Sequence, residues 1–244
     1  MPFQPYTDVI VDISSMPRSV YFPLIARILY LIDHPTEARK TPLNLHVLVA
    51  EDPALDASIQ EEGIDEKAEF MASFSGGFDE EAVQTPKVWL PMLGERRQTQ
   101  FDRIHDRVKP DEICPVLPSP SRDPRRADDI VIEYHERLFD QHRLDGRAFI
   151  YASEQNPFEV YRQLRRALQR YEEVFGLLGG CRVAISPLSS KLMSLGALLV
   201  AYELKERGHG VGIAHIESQG YALTEVTPEA QLFGLWLAGE CDGN

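Results

Sequence analysis

Cysteine is scarce in this chain. Cys114, Cys181 and Cys241 are the only three in 244 residues, with no CxxC pair and no histidine cluster beside them, which excludes a disulfide framework and a zinc site of ordinary spacing. The seven histidines, at 34, 46, 105, 135, 142, 209 and 215, form no HxH or HExxH pattern, so no metal centre is expected. Long apolar runs are missing as well. The longest near the start, residues 20–32, is interrupted by Pro23 and Arg27 and is too short to span a bilayer; it follows an expected strand and is therefore no secretory signal. Positive charge is in deficit, 25 Lys and Arg against 38 Asp and Glu for a formal net charge of −13, so the dominant basic face of a general nucleic-acid binder is not to be expected. No fixed-period repeat occurs. These absences point to a cytoplasmic protein that engages neither a membrane nor nucleic-acid backbones at large.

What the chain does have is apolar material, 43% of its residues, distributed in an alternating order of short β-branched runs and longer amphipathic segments. Strands are expected at 8–13, 45–50, 87–93, 112–117, 147–152, 183–186 and 211–216, with Pro115 pushing the fourth towards an edge or a strand end. Helices are expected at 18–32, from 95 to about 108, at 126–141, 157–175 and 190–207, with a further short one opening at Pro53. The acidic stretch 61–85 reads as an irregular excursion containing one short strand at 70–74, and Phe233 and Trp236 lie in a late apolar patch, helical or extended. Strands separated by helices imply parallel crossovers. The expected fold is α/β: one Rossmann-like, doubly wound domain over residues 1–244, its mostly parallel sheet of about six or seven strands covered by helices on both faces. The polar stretch 140–146 offers the alternative of two linked halves.

In such a sheet the turns that follow the strands share one rim, where ligands bind. Those turns carry Asp12, Ser14, Ser15 and Arg18; Gly94, Glu95, Arg96 and Arg97; Ser119, Ser121 and Arg122; Ser153, Glu154, Gln155 and Asn156; Ser189, Ser190 and Lys191; and Glu217, Gln219, Gly220 and Tyr221. Four of the six hold Arg or Lys despite the acidic balance of the chain. A rim of this kind suits an anion, so the expected ligand is a phosphorylated small molecule or nucleotide. The plainer reading, for any one turn, is that Ser, Asn and Asp cap helices while Arg and Lys face water.

Within that rim the segment SPLSSK, Ser186 to Lys191, places two hydroxyls and an ammonium at the first turn of an apolar helix, where both the backbone N–H groups and the lysine attract negative charge. It is not a phosphate loop of the GxxxxGK[ST] type, since Gly179 and Gly180 precede the strand. In DISSMPR, Asp12 is placed to hold a ribose hydroxyl and Arg18 to fork a phosphate. Arg122 and Asn156 are further ligand contacts, although Asn156 before Pro157 equally reads as a helix cap. If the protein is an enzyme, Glu154, and behind it Asp12, are the acid/base candidates, because a carboxylate in a crevice is readily tuned. No GxSxG elbow or defensible Ser/His/Asp order is present.

The strand, the turn Ser186, Pro187, Leu188, Ser189, Ser190, Lys191 and the small-residue helix after it resemble the ligand loop of CARF domains, Rossmann-like sensors of cyclic oligoadenylates in prokaryotic antiviral immunity. That family's turn reads Asp, any residue, Ser or Thr, Gly, Gly, any residue, Lys or Arg. Here serines replace the paired glycines, the Asp is absent, and the likeness covers about thirty residues. The resemblance implies phosphate contacts at Ser189, Ser190 and Lys191, with Ser14 and Ser15 as the matching first-strand turn. The lack of a defensible catalytic constellation favours a binding module, expected to be a dimeric sensor that passes its signal to a separate effector protein. Three readings therefore stand: such a sensor, with no cofactor indicated; an enzyme on a phosphorylated or nucleotide substrate, in which Lys191, Arg18 and Arg122 stabilise charge; and a scaffold subunit.

Overall fold

The protein is described from a computed structural model covering residues 3, 5–35, 42–51, 60–78, 85–222 and 230–239; the short helix expected at Pro53 lies outside the described residues. In chain order the elements begin with β1 (Asp8–Asp12), α1 (Arg18–Asp33), β2 (Asn44–Glu51), β3 (Gln60–Ile64), β4 (Glu69–Ser75), β5 (Lys87–Met92) and α2 (Gln98–Val108). They continue with β6 (Glu112–Ile113), β7 (Val116–Pro118), α3 (Arg126–Glu133), β8 (Ile150–Ala152), α4 (Pro157–Phe175) and β9 (Arg182–Pro187). The last are α5 (Lys191–Glu206), β10 (Val211–His215), β11 (Ser218–Ala222) and β12 (Gln231–Ala238). Contacts divide the chain into two compact units, residues 1–59 with 223–244, and residues 60–222. The polar stretch 140–146 falls inside the second of them.

The first unit is a three-stranded sheet with β2 in the middle, parallel to β1 and antiparallel to β12. Strict alternation along β2 turns Leu45, Val47 and Val49 to one face, where all three are fully buried. Val11, Ile13 and the Tyr21, Phe22 and Ile25 side of α1 are buried with them. The late apolar patch is thus a strand, and it changes the expected architecture. With β1 on one edge of β2 and β12 on the other, the first two strands do not enter the larger sheet, and the single continuous sheet expected from the sequence is two.

The second unit is mixed α/β. Its seven-stranded sheet runs β4-β10-β9-β5-β7-β8, with β6 also on β5. Every pairing is parallel except that of β4 with β10. The five longer-range parallel strands β5, β7, β8, β9 and β10, numbered by chain order, lie in the order 3-2-1-4-5. Their order reverses between β5 and β9. Strands β3 and β11 form a separate antiparallel pair, so the chain does not end its pairing at the 211–216 strand, as the sequence implied.

Right-handed crossovers put the helices before and after that reversal on opposite faces. On one face α2 and α3 cover Trp89, Ala184 and Leu117, with Phe101, Ile104, Ile130 and Tyr134 buried among them. Phe101 meets Trp89 at 4.7 Å between ring centroids and Tyr134 edge-on at 5.6 Å. The Trp89 indole N–H donates to the Ser186 hydroxyl at 2.8 Å, satisfying two polar groups inside the core. For α4 and α5 the packing is against each other, at Gly196.

Pro115 splits the strand expected at 112–117 into β6 and β7. The interruption has a partner in β5. Trp89 and Leu93 bond towards this side of the sheet, to Cys114 and Val116, so Pro91, which lacks an N–H, comes where the neighbouring strand is broken. The helix expected over 126–141 is α3 followed by a π-helical turn, Glu136–Gln141. The strand expected at 147–152 begins as a 3-10 turn and pairs only over β8.

A β carbon at Gly196 would lie 2.6 Å from Val160 Cβ and 2.7 Å from the Pro157 carbonyl. Gly196→Ala is therefore expected to cost about 1–3 kcal/mol through overpacking, read as a lower urea midpoint at unchanged slope. A midpoint equal to that of the wild type would contradict the close α4–α5 contact.

Candidate functional site

The order reversal places the turns after β5 and β9 side by side. The Leu188 N–H donates to the Met92 carbonyl at 3.0 Å, and a β carbon at Gly94 would sit 2.3 Å from the Leu188 carbonyl oxygen. Only glycine allows this approach. Two residues on, Arg96 has φ of 57°, the left-handed region, and its N–H is held at 2.7 Å by the Glu133 carboxylate, which also takes a bond from Gln98. Tyr134 donates its hydroxyl to the Gly94 carbonyl at 3.1 Å. Burial drives the Tyr134 hydroxyl far above the ordinary tyrosine range, leaving it a hydrogen-bond donor and not an acid.

On the β9 side, Ser190 caps α5 by accepting from the Met193 N–H at 3.2 Å. Ser189 donates to the Met193 sulfur at 3.2 Å, and Ser194 to the Ser190 carbonyl at 2.7 Å. Ser189 and Ser190 are both buried, while Lys191, the first residue of α5, is half-buried. The hydroxyls expected to hold phosphate thus serve the helix start, and the cation stands beside it.

The turns after β5, β7 and β8 are joined by a residue that the sequence reading passed over. Arg126, the first residue of α3, forks the Glu95 carboxylate at 2.6 and 2.8 Å and forms an ion pair with Glu154. Glu154 is 2% exposed and accepts in addition from the Arg122 N–H at 3.1 Å, while the Arg122 residue itself is exposed. Burial pushes the Glu95 carboxyl up, but the Arg126 hydrogen bonds and charge outweigh it and hold the group below its ordinary value. As a general base Glu154 is poorly placed, because its oxygens are committed to Arg126 and Arg122. The available sequence signal was the pair of acids at strand ends, since a carboxylate buried there requires a cation.

Asn156 accepts from the Phe158 and Glu159 N–H groups, both at 3.1 Å, and Glu159 accepts from the Ser153 N–H at 2.6 Å. Asn156 is thus the N-cap of α4, and Glu159 reaches back to the turn before it. The Asn156 side-chain oxygen is engaged at the start of α4, the cap that the sequence also offered. In the first unit, Asp12 accepts from the N–H and hydroxyl of Ser14 at 2.9 and 2.6 Å, and Ser14 accepts from the Ala50 N–H at 2.8 Å. Asp12 and Ser14 tie the end of β1 to β2, Ser15 is exposed, and Arg18 begins α1 half-buried. The six turns expected on one rim are therefore divided: the first follows a strand of the three-stranded sheet, four follow strands of the seven-stranded sheet, and most of the sixth is the strand β11, paired with β3. The side chains of Gln219, Gly220 and Tyr221 lie outside the description.

Among the described residues no three His, Cys, Asp or Glu gather into a metal-binding group, and no helix is long and apolar enough to cross a membrane. No protein-family model matches the chain, and no curated protein matches it significantly.

Arg126→Gln leaves Glu154 buried without its counter-charge and is expected to cost about 3–5 kcal/mol, with Arg126→Lys restoring only part because an ammonium cannot fork Glu95. Denaturant titration of the three proteins decides it, and equal midpoints would refute the clasp. Glu95 is held below its ordinary value, so its ionised form favours the folded state above the unfolded glutamate pKa of about 4.3, and this contribution is lost as pH falls through the native value. The stability gap between wild type and Glu95→Gln should be full at pH 7 and close in acid.

Proposed function

We propose that the second unit is a Rossmann-like binding module that takes a phosphorylated small molecule, a nucleotide foremost, in the crevice between the carboxyl ends of β5 and β9. The observation that carries this reading is the reversal of strand order at that point. A reversal opens the crevice in which doubly wound sheets bind their ligands, and here the positive end of α5 and Lys191 border it. Arg96 and Arg97, in the turn after β5, add cations to the same border.

Binding is favoured over catalysis by the state of the carboxylates. Glu154 is committed to Arg126, and Asp12 to Ser14, so neither is poised to move a proton for a substrate. The CARF-like turn narrows the ligand class to nucleotides and the role to sensing, in which occupancy of the crevice is passed to a second copy of the chain or to an effector protein.

A thermal-shift series over mononucleotides, cyclic oligonucleotides and sugar phosphates tests the reading, since a ligand of the native state raises the melting midpoint by mass action. At least one phosphorylated compound is expected to do so and to be recovered unaltered, and Lys191→Ala is expected to weaken its binding by about tenfold or more, the value of a hydrogen bond to a charged group. Failure of every compound to move the midpoint, or binding unaffected by Lys191→Ala, would overturn the proposal; turnover of the ligand would replace the sensor with an enzyme.

A further inference from the structure

His105 lies in the last turn of α2, and His142 closes the π-helical turn Glu136–Gln141 that packs beside it. The two rings face each other at 4.4 Å between centroids, tilted by 38°. Aromatic groups back them on the core side, Trp89 at 6.0 Å from His105 and Phe101 at 6.0 Å from His142. The π turn itself is closed by the His142 N–H, which donates to the Arg137 carbonyl five residues earlier at 3.0 Å. Such turns are rare and gather where a helix has something to do.

The charges around this pair decide how it responds to acid. On α2 they are Asp102 and Asp106, with Arg103 and Arg107 in the same two turns; on the π turn they are Glu136, Arg137 and Asp140, followed by Arg143. From β5 the Trp89 ring lies beside His105. Asp102 is already matched, because Arg137 forks it with two bonds of 2.7 Å. Asp140 stands 3.7 Å from His135. Asp106, 3.7 Å from the His105 ring nitrogen, is 86% exposed and therefore a weak, water-screened counter-ion. A proton on His142 would thus meet the His105 ring with little to neutralise it, and two protons would set like charges face to face.

We propose that His105 and His142 form a proton-operated latch: as neutral rings they hold the π turn and the residues up to Leu144 on α2, and on protonation they release that segment. Burial pushes the His142 imidazole below its ordinary value, and His105 beside it pushes the same way, against a smaller opposing pull from Asp102. The sign follows. A histidine whose folded pKa is depressed stabilises the native contact above the unfolded value of about 6.5, and that contribution is lost as pH falls below it. The segment is tied to more than α2. Tyr134, at the end of α3 and directly before the π turn, is the residue that donates to the Gly94 carbonyl in the turn after β5. The latch nevertheless stands on its own geometry and not on any ligand of that turn.

Two measurements on the intact chain test it without relying on a variant. Histidine ring signals followed by NMR from pH 8 to pH 5 should show His142 titrating below the unfolded histidine value of about 6.5. Hydrogen exchange of residues 136–144, corrected for the intrinsic pH dependence of exchange, should show opening increased by about threefold or more between pH 7.5 and pH 5.5, because a histidine that binds its proton more weakly in the folded state loses its stabilising contribution over that range. His105→Gln should raise the His142 midpoint and lessen the acid-induced opening without abolishing it, since burial is the larger cause of the depression. A His142 midpoint at or above the unfolded histidine value of about 6.5, or protection of 136–144 that does not change with pH in the folded wild type, overturns the proposal.

Discussion

The second unit is organised by the pairing of β5 with β9 and, at its end, by the near-contact of Gly94 with the Leu188 carbonyl. Two strands distant in sequence are brought so close there that a single methyl group would part them. The turn after each strand is fixed by the other, and the helices that follow, α2 and α5, leave from adjacent points. Trp89 and Ser186 seal the same seam from inside with a buried hydrogen bond. In a core this dense, such a bond costs nothing to keep and much to break, because either partner alone would be left dry and unsatisfied.

Outward from the seam the structure spends its polar groups on holding turns in place. Tyr134 takes the Gly94 carbonyl, Glu133 takes the Arg96 N–H in its left-handed conformation, and Arg126 spans Glu95 and Glu154. Three successive strand ends are thereby fixed against one another before any ligand arrives. For the proposed binding module, a pre-set rim of this kind would lower the ordering cost of taking a ligand.

Much of the element order was legible in the sequence, because it depends on local periodicity and on caps. Asp8 to Asp12, Pro157 to Phe175 and Lys191 to Glu206 each carry their own pattern of apolar spacing and their own stop signals. What was not legible depends on partners far away along the chain. Nothing near Leu45 announces that Gln231 to Ala238 will take the second edge of β2, and that pairing is what removes β1 and β2 from the larger sheet. At the site the polar side chains were easy to find, because caps and strand ends favour them. Ser190, Asn156 and Ser14 accept from nearby backbone N–H groups, and Ser189 donates to the Met193 sulfur. Arg126 was overlooked because it is only an arginine at a helix start until Glu95 and Glu154 are seen to converge on it.

The division of the chain also sets an order of events during synthesis. The first unit is interrupted by the whole of the second, and roughly 180 residues separate the end of β2 from the start of β12. At ribosomal rates of about 5–20 residues per second, the open edge of β2 waits on the order of ten to forty seconds for its partner. Throughout that interval a strand with Leu45, Val47 and Val49 on one face has an unclaimed row of backbone donors and acceptors, the kind of surface on which chaperones act and at which stray strands join. The inserted unit, whose strands all lie within one continuous stretch, is free to fold first, and the late strand then completes a sheet begun long before.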